Sequence, residues 1–267
     1  MTSASSPSRS RAAGAILSSL LLAGWLLAGC GGTGGKAGTA AELTGVDKIF
    51  AEYVEATGGA DAYLAHDTVK MTGTFSIPAM GLTARVISYH QEPDLSYTLI
   101  ESDALGKMES GSDGETFWEM SLMGGARIKE GEERAMEQRA GDYRLWLHWR
   151  DYYTGADLAG QEEVEGRLCD KVVMTPKIGQ PETTWFDAET HLVVKSSAKI
   201  NNEMGEIPLE IYPSDYRDAG GILMPYKVRQ VIMGVQEIVI QAETIDWGVE
   251  IPAGTFDLPD EIKALVK

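Results

Sequence analysis

Four histidines, two cysteines and 40 acidic residues are the side chains of this 267-residue chain able to ligate a metal, attack a carbonyl or move protons. Their spacing works against all three. His66, His90, His148 and His191 stand far apart, and none belongs to an HExxH, an HxH or a Cys/His cluster, so no metal site is expected. There is no GxSxG elbow, no Walker loop and no GxGxxG opening a helix. The carboxylates are spread in solvent-facing alternation, and which of them meet across strands is not written in the sequence. Cys169 has no neighbouring His or Asn motif and reads as a small buried hydrophobe. The expectation is a binding protein rather than an enzyme, with no cofactor.

Cys30 is the one residue whose surroundings name a reaction. Arg9 and Arg11 precede an apolar, small-residue run over 12–29, and no acid occurs before Glu42. That is the layout of an export signal. It closes on Leu27-Ala28-Gly29-Cys30, which resembles the bacterial lipobox. The resemblance implies cleavage before Cys30, a thioether to diacylglycerol on its sulfur, and attachment to a membrane. The alternative for the same residues is an uncleaved anchor, since roughly 18 apolar residues nearly span a bilayer. Gly31, in place of an aspartate, points to outer-membrane sorting in a two-membrane envelope. Residues 30–42 hold no large apolar side chain beyond the anchor and read as a Gly-rich linker, leaving 43–267 as one domain.

Loss of residues 1–29 removes two arginines and no acids, so the formal charge of −17 becomes −19. A surface this acidic repels phosphate backbones, and nucleic-acid binding is excluded. Membrane contact is expected through the lipid on Cys30, not through a basic patch.

The elements that position the rest follow from periodicity. Val46, Ile49, Phe50, Tyr53 and Val54 form an amphipathic helical stripe. Thr44 with Asp47 reads as its capping box, Gly58-Gly59 as its stop, and Ala60–His66 as a second short turn. From residue 68 the period is two: Val69, Met71, Phe75 and Ile77 share a face, then Leu82, Ala84 and Val86, then Trp118, Met120 and Leu122. Gly124-Gly125 closes this run. Residues 131–153 read as a helical insert with Trp146, Trp149 and Tyr153 on one face. A second series of strands follows, making roughly ten in all; so many antiparallel strands must curl or split into a sandwich.

Five phrases carry a family resemblance: SDGETFWEM (112–120), EEVEGRLCDKVVMTPK (162–177), TTWFDAETHLVVKS (183–196), SDYRDAGGILMPYKVR (214–229) and FDLPDEI (256–262). In this order, behind an amphipathic helix and around a helical insert, they resemble the LolA/LolB superfamily, in particular LolA-like outer-membrane lipoprotein-sorting proteins, over residues 43–262. The resemblance implies a mainly β (α+β) fold: a strongly curled antiparallel sheet forming an incomplete β-barrel, closed by the N-terminal helix and the insert. It also implies a hydrophobic cavity for acyl chains of lipids or lipoproteins. The sequence singles out no arginine for the gating role one plays in the family carrier. Face periodicity makes Phe75, Ile77, Leu82, Val86, Trp118, Met120, Leu122, Trp146, Trp149 and Trp185 the expected cavity lining. A sensory or protein-interaction module with an envelope partner is the other function open to such a fold.

Overall fold

The computed structural model describes residues 43–266, except 123, 203 and 204. Cys30, the export signal and the linker lie outside the described residues. The chain runs α1 (Gly45–Ala56), α2 (Ala60–Leu64), β1 (Thr68–Ile77), β2 (Leu82–Gln91), β3 (Leu95–Ser102), β4 (Gly106–Asp113), β5 (Phe117–Ser121) and β6 (Gly125–Lys129). An insert follows: α3 (Gly131–Gly141) and two 3-10 turns, Leu145–Leu147 and Trp149–Asp151. Then come β7 (Tyr153–Val164), β8 (Arg167–Pro176), β9 (Glu182–Asp187), β10 (Val193–Asn202), β11 (Gly205–Ala219), β12 (Ile222–Ile232), β13 (Gln236–Trp247) and α4 (Asp260–Lys263).

All thirteen strands form one antiparallel sheet, ordered β6-β5-β4-β3-β2-β1-β13-β12-β11-β10-β9-β8-β7. Two meanders, β1–β6 and β7–β13, are sewn together by the single long-range pairing of β1 with β13. The edge strands β6 and β7 do not pair, so the sheet is unclosed, as the expected incomplete barrel requires. Among the described residues no hydrogen-bonded closure joins its ends.

Alternation in β1 is strict: Val69, Met71, Phe75 and Ile77 are buried, while the residues between them are half-exposed. Gly73 completes the buried row, where a Cβ would come within 2.2 Å of the Gln241 carbonyl oxygen, so only glycine lets β13 approach at this bulge. Residues of this face from β1–β4 and β8–β13 join Phe50 and Tyr53 of α1, Tyr63 of α2 and Leu145, Trp146 and Trp149 of the turns in one core. α4 packs against β6 and buries Ile262 completely.

Three local expectations differ. Thr44 stands at the N-cap but makes no side-chain capping bond. An Asp is shorter than the Glu of a capping box, and Asp47 instead accepts hydrogen bonds from Trp149 Nε1 at 3.2 Å and Arg150 at 2.8 Å. The insert is a helix only to Gly141; 3-10 turns, which eclipse i and i+3, carry Trp146 and Trp149, and Tyr153 opens β7. Gly124-Gly125 is a turn into β6, not the end of the run. β6 and the exposed middle of β7 lack buried alternation, so neither announces itself by pattern.

Candidate functional site: an apolar half-sheet under an ion-paired roof

Cross-strand register divides the core face in two. From β1 toward β6, one row reads Met71, Ser88, Thr98, Ser110, Glu119, Arg127 and the next reads Val69, His90, Ser96, Ser112, Phe117, Lys129. These two rows are largely polar, yet Ser88, His90, Thr98, Ser110, Ser112, Glu119 and Lys129 are all buried; Ala84, Val86, Ile100 and Met108 of the same face belong to the apolar core. From β13 toward β8 the same face is apolar, with Ile238, Val228, Ile232, Leu209, Ile211, Val172 and Met174 each nearly or fully inaccessible.

α3 lies across the boundary, and ions rather than apolar side chains hold it. Arg139 is its only buried residue. On the polar side Arg127 pairs with Glu133 and, at 2.7 Å, with Glu119; Lys129 pairs with Glu137 and, at 3.4 Å, with Glu119. Gln138 donates to both carboxylate oxygens of Asp94 at 3.1 Å. On the far side Arg139 pairs with Glu182, which also accepts from the Tyr153 hydroxyl at 2.7 Å. Burial pulls the Lys129 ammonium toward its neutral form, but Glu137 and Glu119 outweigh it and its pKa is raised. Burial raises the Glu137 carboxyl, Lys129 opposes, and Glu119 and Glu133 add to the rise. Three carboxylates against two cations leave this cluster one negative charge in excess, and a proton on Glu137 would cancel it.

Two of the clefts beside α3 bear on the site. One, of about 50 Å³, is walled by Met136, Leu145, Trp146, Thr184, Ser196 and Ile211. The other, of about 30 Å³, lies among His90, Glu92, Asp94, Glu137, Gln138 and Tyr143. Small-molecule pockets usually need some 300 Å³ or more, and neither cleft approaches that size.

The second cleft holds two groups that titrate in opposite senses. Burial drops His90 from 6.5 to about 4. Burial, then Asp142, lifts Glu92 from 4.5 to about 7 against Arg144. A depressed histidine contributes stability that is present above 6.5 and lost as pH falls toward 4. A raised carboxyl contributes stability that is present below 4.5 and lost as pH rises toward 7. Between 4.5 and 6.5 the two slopes oppose. In His90→Gln the Glu92 slope is no longer opposed by the histidine, and stability should decline with pH more steeply than in the unaltered chain, by on the order of 1 kcal/mol per pH unit between 4.5 and 6.5. In Glu92→Gln it should rise with pH from 4 to 6.5. Urea denaturation along a pH series reads both, and parallel curves for the two variants would contradict the assignment.

The residues expected to line a cavity fall on different faces. Phe75, Ile77, Val86, Trp146 and Trp149 are buried in the main core and Leu82 packs partly buried against it. Trp118 is also buried, but register puts it beside Gly111 and Tyr97 on the opposite face, with Met120. Leu122 is 81% exposed in a turn. Trp185 belongs to a separate cluster on that opposite face with Val164, Cys169 and Val194, flanked by Lys171 and Lys195. These four do not meet the apolar half-sheet. In short strands such as β5 and β9, where both faces are covered, period alone does not say which face is which. Cys169 is fully buried and unbridged, and burial raises its thiol pKa. His148 bonds Asp142 at 2.6 Å, and His191 is a half-exposed loop residue. Among the described residues no group of three or more His, Cys, Asp or Glu is placed to hold a metal ion, and no helix is long and apolar enough to cross a membrane. Sequence reasoning missed Lys129, Glu119, Glu137 and Glu182; the available signal was the inward phase of β4 and β5, which only the register from β1 transmits.

No family model matches the sequence, and the curated proteins hold no significant match. Solved structures do. A LolA superfamily protein, NE2245 from Nitrosomonas europaea, superposes with TM-score 0.55 at 11% identity, over 81% of this chain and 99% of its own. The chain has a LolA-like fold. A DUF1329 family protein from Desulfovibrio piger gives TM-score 0.56 at 15% identity, over 80% of this chain and 98% of its own. A domain assigned to outer membrane lipoprotein sorting, from Vibrio parahaemolyticus, gives 0.54 at 9% identity, over 80% and 96%. At these identities the LolA-like likeness is one of fold, over about four-fifths of the chain.

Proposed function

We propose that this LolA-like chain is a lipid-anchored carrier or acceptor that holds acyl chains of lipids or lipoproteins between the apolar half-sheet and the α3 roof. Residues 1–29 act as the export signal, Cys30 carries the lipid, and 30–42 tether the domain to the outer membrane on its periplasmic side. The observation that carries the reading is the roof itself: a helix over an apolar sheet, fastened by Arg139–Glu182, Lys129–Glu137 and Arg127–Glu133 and with little apolar packing of its own. Lifting it exchanges ion pairs for hydration and exposes apolar surface that an acyl chain re-covers. Each buried methylene is worth about 0.8 kcal/mol, so a 16-carbon chain returns on the order of 10 kcal/mol. Binding of this kind needs no catalytic residue and no cofactor. The LolA-like fold supports the same reading.

The full chain, purified in mild detergent from membranes and examined by native mass spectrometry with solvent extraction, should carry an acyl-containing adduct at a stoichiometry near one, beyond the mass added at Cys30. A second reading, an envelope sensor or interaction module, draws on the smallness of the clefts. It expects an adduct-free mass that stays so after incubation with lipids and acylated peptides, and that result would end the carrier reading.

A further inference from the structure

On the core face of β12, apolar residues occupy every alternate position from Ile222 through Met224, Tyr226 and Val228 to Ile232, with one exception. Gln230 is fully buried, and among the described residues neither its Oε1 nor its Nε2 has a hydrogen-bond partner. Its row neighbours are Ile238 on β13 and Ile211 on β11; beyond Ile211 the row continues through Ser196 to Thr184. Ile211, Ser196 and Thr184 are walls of the larger cleft, and Gln230 lies one strand beyond that wall, sealed behind Ile211. The Ser196 and Thr184 hydroxyls touch at 3.3 Å, one bond between two groups that can each make more. Gln236, diagonal to Gln230 across the β12–β13 pair, has an unpaired Nε2 as well.

A buried amide left unpaired is destabilising, and a leucine or methionine of similar size would avoid the cost. The position therefore pays off only when something enters that pairs both atoms. Oε1 needs a donor and Nε2 an acceptor. In a greasy site the group offering both side by side is an amide linkage, –CO–NH–, at the head of an acyl chain; an ester offers the carbonyl alone. We infer that Gln230, with the Ser196 and Thr184 hydroxyls, reads the linkage of the bound chain and prefers N-acyl to O-acyl ligands, the hydrocarbon lying along Leu209, Ile211 and Ile232. This rests on the carrier reading and specifies its ligand.

N-Ethylpalmitamide and ethyl palmitate differ only in the atom that matters. Titrated against the full chain in detergent and counted by native mass spectrometry, the amide should bind about tenfold more tightly. Gln230→Met should cut that preference to within twofold while ester binding holds. Ser196→Ala, a smaller change in packing, should reduce the preference as well and serves if the methionine variant does not fold. Equal binding of both probes to the unaltered chain overturns the inference but leaves the carrier intact, a buried water then being the partner of Gln230. Binding of neither probe removes the carrier reading itself.

Discussion

Replacing Lys129 with methionine should lower the melting temperature by roughly 10 °C. Lys129 is 2% exposed and lies between Glu119 and Glu137, themselves buried or nearly so. Removing one partner from such a cluster leaves carboxylates uncompensated in a poorly solvated place, which typically costs about 3–5 kcal/mol. In a domain of this size each kcal/mol moves the melting point by about 2–4 °C. The sign of the pH dependence follows from Glu137. Its pKa is already raised with the ammonium present, and without Lys129 it rises further. A carboxyl whose folded pKa lies above its unfolded value is favourable to folding in acid and penalises it as pH rises. The deficit of Lys129→Met should therefore shrink as pH falls from 7 to 5. Adding Glu137→Gln and Glu119→Gln should recover part of it at pH 7, because a neutral, hydrogen-bonding interior replaces a charged one. Thermal melts at the two pH values test this, and a deficit that ignores pH would mean that lost packing, not charge, explains the loss.

Trp146→Ala should cost about 3–5 kcal/mol, the usual range for deleting a large buried aromatic. The ring is 2% exposed and packs against Phe50 at 4.9 Å, Phe186 at 5.2 Å and Tyr53 at 5.9 Å between centroids. It joins α1, the insert and β9 into one unit. It also walls the larger cleft, so its removal adds volume where an acyl chain is proposed to lie. A ligand that binds only the folded state stabilises it in proportion to the logarithm of its concentration over Kd. The variant, although less stable, should therefore gain more in melting temperature on addition of palmitate than the unaltered chain. Trp185→Ala offers the contrast. It removes a ring of the same size from the opposite face, in the cluster with Cys169, and should lose stability with no added response to palmitate. Scanning calorimetry with and without palmitate compares them; an equal response from the two variants would separate Trp146 from the binding region.

Much of the fold is legible residue by residue. The stripe Ile49, Phe50, Tyr53, Val54 is buried as a helical face, and Val69, Met71, Phe75, Ile77 as a strand face, because each lies in an element with one covered side and one wet side. Pattern then carries the answer. It fails where that asymmetry is missing. β6 and much of β7 are edge strands with little buried surface, and β5 and β9 are covered on both faces, so Trp118 and Trp185 look like their neighbours Phe117 and Phe186 while pointing the other way. By itself the sequence determines the strongly acidic composition, the predominance of strands and the helical start of the insert. Only the tertiary structure decides that the sheet stays open, that Lys129, Glu119 and Glu137 meet beneath α3, and that Gln230 sits unpaired among isoleucines. Those outcomes depend on strand register and on contacts between residues far apart in the chain, and the periodicity of a single segment carries no information about which distant segment will lie beside it.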